Sequence, residues 1–228
     1  MRVLNVSFII FLSLLISSFL FFKKEAIACE AITLIGFEEI HSNVYSDSSL
    51  TSEQRSSLRN TINQAHDRIE QVYGVTKASP RIIATNNLEY KKFGLNPTGM
   101  QNSGFFRECI FLGPKGLNVD VIAHGLVHAE VRYRTNFLVE HTELPAWFIE
   151  GTGIKVDYRI PFLIENISVS KEDVEQIKSV FFFHNFPNTS VKSYQASRIA
   201  IEALEPKSLY FGLERLNNGE KFEEVFGL

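Results

Sequence analysis

The sequence predicts an α+β fold of two lobes, a mixed-sheet lobe first and a helical lobe after it. Three observations predict it. Short apolar runs bounded by turn residues, Pro80–Thr85 and Phe105–Leu112, read as strands and fall in the first half. Between residues 51 and 74 the periodicity is helical, and it is helical again in most segments from Val119 onward. With 228 residues, 45% of them hydrophobic and 21% charged, the chain suits one globular domain or two lobes that share a cleft.

The elements follow in order. Val3 to Phe22 is apolar and uncharged, and Lys23-Lys24-Glu25 stop it. The run exceeds the usual ~7–15 residue core of a signal peptide and approaches the ~20 residues that span a bilayer. Ala26-Ile27-Ala28 then offers a signal-peptidase site. Residues 1–28 are therefore a cleaved signal peptide, which the small-residue site favours, or an uncleaved membrane anchor. Lipid attachment at Cys29 is a third route, made weaker by Ala26 where a leucine is usual. Each route exports residues 29–228, so the expected location is extracytoplasmic: secreted, periplasmic or anchored facing outward.

Only Cys29 and Cys109 are present. In an oxidising compartment an even pair predicts a disulfide; the alternative is two unpaired thiols. A formal charge of −3 becomes −5 once Arg2, Lys23, Lys24 and Glu25 are removed. No basic stripe with interleaved aromatics occurs, which argues against nucleic acid as a partner.

Residues 32–44 have strand character around Thr33-Leu34-Ile35 and Ile40–Val44. Thr51-Ser52-Glu53-Gln54 is a capping box. It opens a helix whose buried stripe is Leu58, Ile62, Ala65, Ile69 and Val72, and Gly74 ends it. Asn87–Phe93 reads as a short helix closed by Gly94, and Met100–Gly104 as turn. The 105–112 strand is the expected sheet edge for pairing with an extended peptide. Beyond the next helix, Arg134–Glu143 reads as a polar loop, Leu144–Tyr158 as helix and Pro161–Val169 as irregular or short strand. Lys171–Phe183 starts helical, and its Phe181-Phe182-Phe183 run is expected in the core or, less often, as the floor of a pocket. Asn188-Thr189-Ser190 matches a glycosylation acceptor.

The chemistry concentrates at His124-Gly125-Leu126-Val127-His128. Residues i and i+4 of a helix share a face. Two imidazoles placed so can converge on one ion, and an acid from a second element completes a zinc set with an open fourth position. The alternative is a pair of ordinary histidines at the edge of a core. Asp120, one turn before His124, either orients that ring or offsets the helix dipole at the N-terminus. The residue after the first histidine in a metallopeptidase helix is the glutamate that acts as general base. Here it is Gly125, which has no side chain and costs the helix about 1 kcal/mol relative to alanine. Glu130 lies ~240° around the helix from His124 and faces away. Glu140 and Glu143 follow in the expected loop, from which they could fold back to stand in as the base.

The stretch Val121–Glu130, with Leu144-Pro145-Ala146-Trp147-Phe148-Ile149-Glu150-Gly151-Thr152-Gly153, resembles the gluzincin branch of zincin-like metallopeptidases, in particular peptidase MA-like members. The segment Gly212–Phe226 is similar to that family's closing helices. The resemblance covers roughly residues 105–228. It implies a zincin-like fold, with residues 29–143 as sheet lobe plus metal helix and 144–228 as helical lobe. It implies zinc as cofactor, held by His124, His128 and Glu150, with Tyr194 in the place of an oxyanion-stabilising phenol; the alternative for Tyr194 is a helix tyrosine that packs its ring and leaves its hydroxyl in water. Two departures stand out: Gly125 replaces the glutamate, and the small residues after Glu150 are Thr152 and Gly153 instead of the usual alanine. Two functions follow as expectations. One is a catalytically impaired peptidase homologue that binds a peptide or protein in its cleft. The other is an active zinc metallopeptidase with a non-standard general base.

Overall fold

The computed structural model describes residues 24–93, 96–103 and 108–228. The apolar run 3–22, Gly94, Gly104 and the start of the 105–112 segment lie outside the described residues. Helix α1 (Lys24–Glu30) and a 3-10 turn (Ile32–Ile35) lead into strands β1 (Glu38–His41) and β2 (Val44–Ser46). The connecting Asn43 has φ 60°, a left-handed conformation that asparagine tolerates better than most residues. Helix α2 (Ser52–Val72) carries the chain to β3 (Arg81–Ala84). Its capping box forms as the sequence predicts, with Thr51 and Gln54 exchanging side-chain and backbone bonds. A 3-10 helix (Leu88–Phe93), β4 (Gly99–Ser103) and β5 (Glu108–Leu112) complete a five-stranded sheet of order β1-β2-β3-β5-β4. The inner strands β2, β3 and β5 are parallel, and β1 and β4 run antiparallel to their neighbours.

Helix α3 (Val119–Arg134) follows, capped by Asn118, whose side chain accepts the Val121 N–H. Then come α4 (Phe137–Thr142), α5 (Ala146–Ile154), α6 (Lys171–Lys178), α7 (Val191–Ala200), α8 (Leu209–Asn217) and α9 (Phe222–Phe226). The register pairs Ile82 with Ile110 and Ala84 with Leu112. These four join the main core with α2 and α3. Their neighbours Ile83, Cys109 and Phe111 point the other way, into a smaller core with Ala28, Cys29 and Phe37. A sheet covered on both faces explains why β3 and β5 read as continuous apolar runs rather than alternating ones.

Helix α3 is the centre of the molecule and packs against α2, β5, α5 and α8. Helix α5 is buried along its whole length, lies between α3 and α7, and sets Trp147 and Phe148 edge-to-face against Phe222 of α9. The main core runs without a break from Val44 and Ile82 in the sheet to Leu213 and Phe222 in the last helices. The disulfide Cys29–Cys109 is formed, with Cα atoms 5.9 Å apart, and ties α1 to β5.

Several sequence expectations need correction. Thr33-Leu34-Ile35 is a 3-10 turn, not a strand; Gly36, at φ 96°, closes it. Residues 99–103 form β4 although they read as turn, because ladder bonds to β5 override their weak propensity. The strand containing 108–112 is therefore interior, flanked by β3 and β4, and the sheet ends are β1 and β4. The polar loop after α3 holds α4, capped by Asn136. The Phe181–Phe183 run is not core: Phe182 is 51% and Phe183 47% exposed, because α6 stops at Lys178 and these residues sit in the turn beyond it. Among the described residues no helix is long and apolar enough to cross a membrane.

Candidate metal centre

His124 and His128 project from the same face of α3, their ring centroids 4.7 Å apart. Glu150 comes from the middle of α5, whose start is fixed by Pro145. Packing of α5 on α3 brings Glu150 Oε2 to 3.2 Å from His124 Nε2 and 3.7 Å from His128 Nε2. One donor atom from each of the three side chains lies within 4.8 Å of the others. These residues could hold a metal ion.

The fit is tested by three features of the site. First, donors at about 2.0–2.1 Å in tetrahedral array stand roughly 3.3 Å apart, and the two measured separations bracket that value. Second, His128 Nε2 is buried with no hydrogen-bond partner, a costly state unless something accepts its lone pair. Third, α5 leaves open the space between the rings. A Cβ on Gly153 would sit 2.8 Å from His124 Nε2 and 2.9 Å from His128 Nε2, so the glycine keeps side-chain atoms out of the volume the donors share. Two nitrogens and one carboxylate oxygen are a donor set that suits zinc.

Electrostatics agree with a cation there. Burial disfavours charge on His124, yet Asp157 and Glu150 outweigh it and raise the ring to about 9. Burial pushes His128 down to about 4, helped by His124 and opposed by Glu150. Burial also works against charge on Glu150, but the two imidazoles hold it below the usual carboxylate value. A divalent ion would replace the proton that Glu150 and Asp157 otherwise draw onto His124.

Asp157 is a participant that the sequence does not announce. It lies just past the end of α5, beyond the reach of helical periodicity. Its fully buried carboxylate is 3.7 Å from His124 Nδ1, on the ring edge opposite the shared volume. Arg159 donates to both of its oxygens, and with His124 overcomes burial to bring Asp157 to about 2. Asp120 does not orient His124. Its carboxylate accepts from Arg68 and from the Tyr158 N–H, because one helical turn places it toward α2 rather than over the ring.

Gly125 faces the sheet. A Cβ there would come within 3.0 Å of Ile110 Cγ2 and 3.4 Å of its Cδ1. The space that a side chain at 125 would enter is thus lined by the β5 isoleucine. None of the acids weighed as substitutes turns toward the three donors. Glu130 is buried and accepts from the backbone of Lys77 and Ala78 and from Arg134. Glu140 pairs with Arg132 and Glu143 with Lys221. Tyr194 of α7 presents its ring edge to His124, centroids 6.4 Å apart. Its hydroxyl donates to the Asn188 carbonyl, and burial with the charge of Glu150 raises its pKa. Phe183 stands 6.4 Å from the His128 ring and continues into a cleft of about 190 Å³ lined by Phe181, Phe182, Leu144, His141 and Glu140. No family model, curated protein or solved structure matches the chain, so the case for a metal stands on the geometry of these residues.

Proposed function

We propose that this chain is an exported, zinc-holding domain of the zincin-like kind, gluzincin branch, that binds a peptide or protein segment and cleaves it slowly or not at all. His124, His128 and Glu150 would hold the ion, and Asp157 would steady His124 from behind. Bound zinc supplies Lewis acidity and lowers the pKa of a coordinated water towards ~7. The apolar cleft beside Phe183 is the site for an apolar side chain of the ligand, and β4, as a terminal strand, is the place for its extended backbone. The disulfide supports export to an oxidising compartment.

The observation that carries this reading is the pairing of an intact three-donor cluster with Ile110 against Gly125. General-base loss typically costs 10²–10⁴ in rate. The engagement of Glu130, Glu140 and Glu143 elsewhere favours binding over an alternative base.

The test is zinc analysis of the purified protein, then peptide hydrolysis by the natural chain, Gly125→Glu, and Gly125→Glu with Ile110→Ala. Stoichiometric zinc is expected, with a rate gain of roughly 10²–10⁴ in the double variant and little in the single one, where Ile110 obstructs the new side chain. Natural protein as fast as the double variant would overturn the impaired reading. Metal-free natural protein would overturn the zinc site.

A further inference from the structure

Helix α1 contains the Ala26-Ile27-Ala28 segment at which a leader would be cut, and the fold uses that helix. Ala26, Ala28 and Cys29 are buried, Cys29 completely. Ala28 and Cys29 pack with Phe37, Tyr45, Ile83 and Phe111 on the sheet face opposite α3. Arg81 of β3, itself 7% exposed, donates to the carbonyls of Cys29 and Glu30 at the end of α1. Its guanidinium lies 4.8 Å from the centre of the Tyr45 ring. A cation in this position favours the negative end of a helix. The Ala31 N–H donates to the Ile27 carbonyl at 2.8 Å.

A cut between Ala28 and Cys29 would take away Lys24–Ala28, most of this helix. It would remove the acceptor for Ala31 and two of the buried alanines. It would also create an α-amino group, ordinarily of pKa about 7.7–8.0, beside the Arg81 guanidinium that grips the same residue's carbonyl. That cation and the apolar residues around α1 would both disfavour the charged form of the new group. A signal peptidase meets the chain before it folds, so access is not the obstacle; the folded product is. Lipid attachment at Cys29 is incompatible with its bond to Cys109.

We infer that the chain is not processed at Ala28–Cys29 and that the apolar run Val3–Phe22 stays attached, tethering the domain to a lipid bilayer through α1. This inference is independent of the metal centre. It is tested by expressing the full chain in an exporting host, separating membranes, washing them with alkaline carbonate, and taking the intact mass. The expected result is a carbonate-resistant membrane protein with a mass that includes residues 3–28. A mass beginning at Cys29, a mass beginning anywhere else between residues 4 and 30, or full-length protein released by carbonate would overturn it.

Discussion

Ile110 and Gly125 meet across the interface of β5 and α3, where a Cβ on residue 125 would press to 3.0 Å from an Ile110 methyl, and the glycine that avoids this contact costs the helix about 1 kcal/mol relative to alanine. A single residue also bears on how His124 is held from its Nδ1 side. Asp157 is buried and charged beside Nδ1, and such partners fix ring orientation and ligand basicity. Asp157→Asn should weaken zinc binding by about 10–100-fold, measured by competition with a chromophoric chelator, whereas Glu150→Gln should abolish stoichiometric binding. Equal affinity in Asp157→Asn and the natural protein would show that His124 needs no such support. Away from this site, His66 of α2 has Nδ1 3.1 Å from Thr76 Oγ1. Burial, opposed by Glu130, lowers its pKa from 6.5. The unfolded chain then takes up a proton more readily than the folded one. The stability His66 contributes is present above the unfolded value of about 6.5 and is lost as pH falls from there through the folded pKa. Urea titrations should show a shallower acid decline for His66→Gln than for the natural protein between about pH 7 and pH 5.

At the scale of elements, what the sequence made legible was whatever depends on local chemistry. The Thr51 capping box, the stripe Leu58-Ile62-Ala65-Ile69 and the strand at 81–84 could be read because propensity and burial agree there. The His124–His128 pair was legible for the same reason, since helical spacing is local. Gly99–Ser103 was not, because its strand exists only through its partner β5. The roles of Ile110, Gly153 and Asp157 were also hidden, since each comes from contacts between elements rather than from spacing within one. The cysteine pair could be predicted because just two occur. It closes a separation of 80 residues, for which the chain-entropy model gives about 4–5 kcal/mol. Cys29→Ser with Cys109→Ser should lower the unfolding free energy measured in urea by an amount approaching this figure. Because α1 rests on β5 through this bond, proteolysis of the variant should begin ahead of Glu38. Attack beginning in α2 instead would mean that the bond is not what holds α1 in place.

For the whole molecule, the three donors join its two most central helices. His124 and His128 belong to α3, on which the sheet, α2 and α8 pack, and Glu150 belongs to α5, which carries α7 and α9. An ion shared by α3 and α5 would exist only when both are in place, so it binds the folded state and not the unfolded one. Its contribution follows from mass action, about 2.7 kcal/mol when free metal is 100-fold above its dissociation constant. In a protein of this length each kcal/mol moves the melting temperature by roughly 2–4 °C. Stripping the metal with a chelator should therefore lower the melting temperature by roughly 5–10 °C, and zinc should restore it. Glu150→Gln should melt near the stripped value with or without zinc, because its amide is a poor partner for the ion and α5 then contributes no donor. An unchanged melting curve after complete removal of metal would mean that α3 and α5 are held by their apolar contacts alone, and that whatever ion enters the site is not a structural link between them.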